Sequence, residues 1–263
     1  MWTRQALAQH CADLGLVAGD AVLVHAGLRA VGPILGGPDS LIGALADVVG
    51  RSGTILAYCD WNYDDRDLGD AALRPHVPAF DPERSRATRD NGAFPELLRT
   101  TPGACRSANP GASMAALGGR ADWFVSDHAL DYGYGPHSPL GKLVAVDGKT
   151  LMIGAPLETM TLLHHAEHLA AIADKRVRRY QSPILVEGRT VWRDFEEFDT
   201  ALPVVAGLED DYFADVVEDF LATGQGRRGL IGGAPSVLVA AAPVVRFAVD
   251  WLERRLGRSA APR

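Results

Sequence analysis

The stretch Thr161–Leu169 reads Thr-Leu-Leu-His-His-Ala-Glu-His-Leu. Residues three and four apart share one face of a helix. His164, Glu167 and His168 would therefore line one side, Leu162, Ala166 and Leu169 the other, with His165 between. A carboxylate beside an imidazole fixes the tautomer of the ring and raises the basicity of its far nitrogen, which makes a general base. The same residues match the His-x-x-Glu-His pattern of inverted zinc peptidases, a reading that needs a third ligand and a bound water. A solvated, charge-balanced helix face with no chemistry is the third reading. The residues alone leave all three open.

Chemistry of either kind needs a scaffold to hold that helix. Thr3 to Leu14 has helical spacing and ends at Gly15, a C-terminal cap. Ala21 to His25 and Gly53 to Cys59 are short apolar runs that read as buried strands, with a helix over Leu41–Val49 between them, N-capped by Asp39 or Ser40. Thr150 to Gly154 is a further buried strand, and Phe94 to Arg99 a short helix. Thr161 to Ala173 reads as a helix, as do Asp210 to Thr223 and Ala241 to Leu256. Arg176 to Glu187 and Thr190 to Phe195 read as strands joined by a Glu187-Gly188 turn. This strand–loop–helix–strand order predicts an α/β fold: one three-layer α/β/α-type domain over residues 1–263, with a mixed central sheet. The loops Asp60–Pro82 and Asp131–Pro139 exceed simple connections, and long ordered loops are often functional.

The chain has 263 residues, enough to bury a core without disulfides or metal. Its three cysteines, Cys11, Cys59 and Cys105, form no Cys-x-x-Cys pair and suit a reducing compartment. No apolar run approaches the 18 or so residues of a membrane span, so a soluble cytoplasmic protein is expected, as monomer or homodimer. The net charge of −7 argues against nucleic acid and suits a cationic partner. Asp60 to Asp70 alone holds five acids against one arginine, Arg66.

Several elements together resemble the aminoglycoside 3-N-acetyltransferases. Leu23-Val24-His25-Ala26-Gly27-Leu28-Arg29-Ala30-Val31-Gly32 is similar to that family's first-strand element, and Arg106-Ser107-x-x-Pro110-x-x-Ser113 to its Arg-Ser element. His137-Ser138-Pro139-Leu140-Gly141-Lys142-Leu143 resembles its Ser-Pro element. Leu151–Gly154 followed by Thr161–Glu167 resembles its Leu-His-x-x-Glu element, and Arg227–Leu252 its C-terminal one. They occur in family order over residues 1–256. Two departures stand out: Ala26 and Gly27 replace the two hydroxyl residues that usually follow His25, and Asn109-Pro110 replaces His-Pro. His168 is additional to many members.

The resemblance implies acetyl transfer from acetyl-CoA to the 3-amino group of an aminoglycoside deoxystreptamine ring, without metal or acyl-enzyme. It also implies a fold other than the common GCN5-related one. It makes His164 the catalytic base and Glu167 its partner. It assigns the cofactor to His25, Ala26, Gly27, Leu28, Arg29, Ser107 and Ser113, with Ser138 a lesser candidate. Backbone N–H groups near Gly27 would serve phosphate or thioester oxygen. Acidic segments suit a polyamine, and family position selects Asp60, Glu197 and Asp199, with Trp61 and Tyr63 packing on sugar rings or cations. An N-acyltransferase for another amine and a zinc hydrolase are the alternatives.

Overall fold

The computed structural model describes residues 1–61 and 71–257. Tyr63 and the acids Asp64, Asp65, Asp67 and Asp70 lie outside the described residues. The elements in order are α1 (Arg4–Leu14), β1 (Ala21–Ala26), α2 (Leu28–Val31), α3 (Pro38–Val49), β2 (Thr54–Tyr58), α4 (Phe94–Arg99), β3 (Cys105–Arg106), β4 (Met114–Gly118), α5 (Ala121–Val125), α6 (Pro139–Ala145), β5 (Lys149–Ile153), α7 (Leu162–Leu169), β6 (Val177–Val186), β7 (Arg189–Phe198), α8 (Tyr212–Ala222), β8 (Arg227–Ile231), β9 (Ala234–Ala240) and α9 (Ala241–Leu256).

Seven strands form one sheet in the order β3-β4-β2-β1-β5-β9-β8. Only β2, β1 and β5 are mutually parallel, and every other pairing is antiparallel. Alternation along β1 explains the layers. Val22, Val24 and Ala26 face a core shared with α1, α3 and α4, whereas Leu23 faces a core shared with α7, α8 and α9. Both faces are covered, so the central strands read as continuous apolar runs.

The sheet agrees with the α/β expectation, and details differ. The α3 helix starts at Pro38 behind Gly37 with no side-chain cap, because Pro at the first turn needs no N–H acceptor. The α7 helix stops at Leu169 rather than Ala173: Ala170 turns extended, and the Ala171 N–H goes to Glu253 instead of a helical carbonyl. The β8–β9 hairpin and α6 were not expected. Ser138, a lesser cofactor candidate, is the N-cap of α6, accepting from the Gly141 N–H and donating to Gly135 O.

The β6–β7 hairpin forms a separate two-stranded sheet. Glu187 and Gly188 at its tip both have positive φ, 49° and 76°, as a tight primed turn requires. No described helix is long and apolar enough to cross a membrane.

Candidate active site

Parallel strands place their carboxyl ends together, and a crevice forms there. The β2 strand ends at Tyr58 and runs into Asp60 and Trp61. The loop after β5 leads into α7, which carries His164. Three cavities adjoin along this edge. One, of about 260 Å³, is lined by Tyr58, Asp60, Trp61, Tyr134, Arg178, Tyr180, Glu197 and Thr200, among others. A second, of about 250 Å³, includes Tyr58, Asp60, Asp90, Asn91, Glu158, His164 and Thr200. The third, about 110 Å³, includes Glu158, His164, Glu167, Thr200 and Tyr212. Shared walls make them one cleft, and Thr200 touches all three parts.

His164 sits where the second and third cavities meet. Its Nδ1–H donates to Oε2 of Glu167 at 2.6 Å. A carboxylate only accepts, so the proton belongs on Nδ1 and Nε2 keeps its lone pair. The other Glu167 oxygen, Oε1, accepts from the hydroxyl of Tyr212 on α8. Burial, followed by the Glu167 charge, holds the Tyr212 phenol well above its ordinary range, so it stays a donor. Rings of Tyr134 and Phe213 stand 5.1 and 4.9 Å from the His164 ring and restrict its rotation. The result is a hydrogen-bonded chain of three, Tyr212–Glu167–His164, in which the carboxylate is nearly buried and the imidazole is the more exposed of the pair.

The helix face differs from expectation. His165 is buried and donates Nδ1–H to Tyr134 O at 2.8 Å, while Leu169 is 44% exposed. His168 turns to Glu197 at 2.9 Å, not toward His164's partner. His164, Glu167 and His168 therefore do not converge on a common point. Among the described residues no group of three His, Cys, Asp or Glu is arranged to hold a metal ion. The geometry carries the dyad and gives the zinc reading no ligand set.

Of the acceptor candidates, Asp60, Trp61 and Glu197 line the cleft. Asp199 does not: its carboxylate accepts the Ala201 N–H and shapes the bend leading to Thr200. Asp60 Oδ1 accepts from Asn91 Nδ2 at 2.6 Å. Loss of hydration pushes its carboxyl up to about 7, against a smaller opposing pull from Arg106. Glu197 lies on the cleft side of β7 opposite Arg178 of β6. Arg178, Tyr180 and Ser182 alternate along β6 and all face the cleft, as period two demands.

The cofactor candidates divide. His25, Ala26, Gly27, Leu28 and Arg29 cluster where β1 gives way to α2. The Gly27 N–H donates to Ile153 O at 2.8 Å, so that amide is not free for a ligand. A Cβ at Gly27 would stand 2.3 Å from Gly154 O, which explains why the position has no side chain. His25 Nε2 is buried with no hydrogen-bond partner, a polar atom that a ligand could satisfy. Burial lowers the ring to about 4, so it stays neutral. Arg29 is exposed.

Ser107 and Ser113 need correction. They are 1% and 0% exposed. Ser107 Oγ accepts the Met114 N–H and bonds His128 Nδ1, and Ser113 Oγ donates to Cys59 O and accepts from Arg106 Nε. Both hydroxyls are spent fastening β3 and β4 beneath the cleft. Sequence reasoning also missed Tyr212, Tyr134, Glu158 and Thr200. Nothing near them in the chain marks them, because only folding brings them to α7.

The family model for aminoglycoside 3-N-acetyltransferase matches residues 23–253. The chain belongs to the aminoglycoside 3-N-acetyltransferase family. In this family member, 94% of the chain aligns at 48% identity with 92% of aminoglycoside N(3)-acetyltransferase III of Pseudomonas aeruginosa. The match to aminoglycoside N(3)-acetyltransferase IX of Micromonospora chalcea is 45% over 97% of this chain and 95% of that one. Among solved structures, AAC-IIIb in a binary complex with CoASH superposes with a TM-score of 0.94 at 57% identity, over 100% of this chain and 99% of that one. AAC-VIa bound to sisomicin superposes with a TM-score of 0.92 at 39% identity, over 97% and 99%. Solved members of the acetyltransferase family thus include one carrying CoASH and one carrying sisomicin.

Proposed function

We propose that this chain, as one domain over residues 1–263, transfers the acetyl group of acetyl-CoA to the 3-amino group of an aminoglycoside. The observation that carries this reading is the Tyr212–Glu167–His164 relay opening into an acidic cleft. Family membership supplies the transfer chemistry, and the acidic lining supplies a reason for a polyamine acceptor.

The acceptor arrives as an ammonium ion, which has no lone pair. His164 Nε2 takes one proton from it, and the free amine attacks the thioester carbonyl. Glu167 offsets the charge that develops on His164, and Tyr212 holds Glu167 in place. As the intermediate collapses, the nitrogen gives up its second proton and CoA leaves as the thiolate; the thiolate takes up one proton, and the other passes from His164 to solvent, so one proton is released per turnover. The buried, unpartnered His25 Nε2 and the exposed Arg29 suit a thioester oxygen and a phosphate respectively. Holding amine and thioester about 3–3.5 Å apart provides much of the acceleration. Asp60 and Glu197 attract and orient the ring ammonium groups, and Trp61 gives a flat apolar wall.

Incubation with acetyl-CoA and a panel of 4,5- and 4,6-disubstituted aminoglycosides should release free thiol. No thiol from any of them overturns the reading, and turnover with other amines alone redirects it to a different acceptor.

Asp60 yields a second test. Its carboxyl is protonated below about 7 and charged above. The KM for aminoglycoside in Asp60→Asn, divided by that of the native enzyme, should be near one at pH 6. By pH 8 it should reach about tenfold, the worth of a charge-assisted hydrogen bond. Taking the ratio cancels the titration of the substrate itself. A ratio that does not move with pH removes Asp60 from the acceptor site.

A further inference from the structure

The three histidines of α7 hold three different partners. His164 serves Glu167, and His165 fastens the Tyr134 carbonyl. His168 Nε2 stands 2.9 Å from Glu197 Oε1, with the two side chains only 6% and 11% exposed. Glu197 accepts two further bonds, from the Phe198 N–H at 2.8 Å and from the Gly133 N–H. The imidazole of His168 is enclosed by rings: Phe198 at 4.6 Å, Tyr132 at 5.8 Å and Tyr134 at 6.5 Å. Lys175 donates to the His168 carbonyl and lies over the Phe198 ring, closing the same cluster from outside.

This pair joins three pieces that carry different parts of the site. His168 stands one turn after His164 on the helix with the base. Glu197 stands at the foot of the hairpin that walls the cleft. Gly133 belongs to the loop that presents Tyr134 to the His164 ring. That loop is held under tension at Tyr132, which has φ of 52°, a conformation unfavourable for a bulky residue. It keeps that shape through bonds to the hairpin: the Tyr132 N–H donates to Glu196 O at 2.8 Å, and the Tyr132 hydroxyl donates to the Glu196 carboxylate. The hairpin itself is a sheet apart from the seven central strands. The His168–Glu197 contact is a side-chain tie from α7 to its foot, beside the loop's own anchor to α7, His165 Nδ1–H to Tyr134 O.

We infer that His168 is a positioning residue for acetyl transfer: through Glu197 it holds the hairpin foot and the 131–135 loop at a fixed distance from His164. The inference rests on the reading of Glu197 as part of the acceptor wall. It differs from a general role in core packing, because it requires a polar nitrogen beside Glu197 Oε1, at the place of Nε2, and not merely a side chain of suitable volume.

The test compares His168→Gln with His168→Asn. A glutamine amide nitrogen can stand where Nε2 stands, whereas the asparagine amide is too short to reach Glu197. His168→Asn should raise the KM for aminoglycoside by about tenfold, the factor for losing one buried polar contact to a carboxylate. Its kcat should stay within about threefold and its KM for acetyl-CoA should not change, since neither His164 nor the β1–α2 turn is touched. His168→Gln should restore the aminoglycoside KM to within about threefold. In a His168→Asn/Glu197→Gln double variant the losses should not add, because both break one contact. Amide exchange over residues 131–135 should quicken in His168→Asn and in Glu197→Gln, and stay native in His168→Gln. Equal damage from Gln and Asn, additive losses, or a fall in kcat with KM unchanged would each overturn the inference. If the native protein acetylates no aminoglycoside, the reading of its activity has failed. Amide exchange then decides the positioning role by itself, and unchanged exchange at 131–135 in both His168→Asn and Glu197→Gln refutes it.

Discussion

His164→Ala should lower kcat for acetyl transfer by roughly 10²–10⁴, the ordinary worth of a positioned general base. The imidazole has one nitrogen committed to Glu167 at 2.6 Å, and the ring borders two of the three cavities of the cleft. Alanine leaves the ammonium of the acceptor with no group to take its proton. The affinity for acetyl-CoA should be unchanged when measured by calorimetry, because the β1–α2 turn lies at another strand end. The loss should also shrink as pH rises, since more of the acceptor then arrives as free amine. A fall of less than about threefold at neutral pH would mean that another group is the base.

Glu167→Gln should cost nearly as much, roughly 10²–10³ in kcat, although the side chain keeps its shape. As a carboxylate, Glu167 accepts from both His164 and Tyr212. An amide has one acceptor oxygen and one NH₂ donor. If the oxygen is given to Tyr212, the NH₂ faces Nδ1 and forces the imidazole into the other tautomer, with its proton on Nε2. The base is then blocked. The same substitution at the buried carboxylate of a serine-protease triad is known to act through tautomer, with geometry intact. If the oxygen is given to His164, the Tyr212 hydroxyl loses its acceptor in a buried place, at about 1–3 kcal/mol. Kinetics and thermal melting together distinguish the two: the first arrangement lowers kcat and spares stability, the second lowers the melting temperature. Full activity with full stability would dissolve the relay.

The chemistry-bearing helix was legible because its two working residues lie three apart, within the reach of helical periodicity. The central strands β1, β2 and β5 were legible because buried parallel strands make short, continuous apolar runs. The Glu187-Gly188 turn marked the hairpin, because few pairs accept positive φ twice in succession. What the chain order concealed is tertiary. Tyr212 is 45 positions from Glu167, and no local pattern ties a phenol on one helix to a carboxylate on another. Ser107 and Ser113 were assigned to the cofactor through the family resemblance. Their hydroxyls proved to be consumed by strand-end backbone and by a buried histidine and arginine, partners that cannot be seen from a serine alone. Family position selected Glu197 and Asp199 together, yet Glu197 faces the cleft and Asp199 shapes a bend.

The hairpin of β6 and β7 separates two tasks that many enzymes entangle. Its residues Arg178, Tyr180 and Ser182 line the cleft, whereas the proposed proton relay sits on α7 and α8. Since the hairpin is not a strand of the central sheet, its cleft-facing positions can be exchanged without disturbing the main core. Drift or selection at every second residue of β6 would then retune which acceptors are admitted, while the proton relay is inherited unchanged. A resistance enzyme built this way can change its range by editing one ribbon.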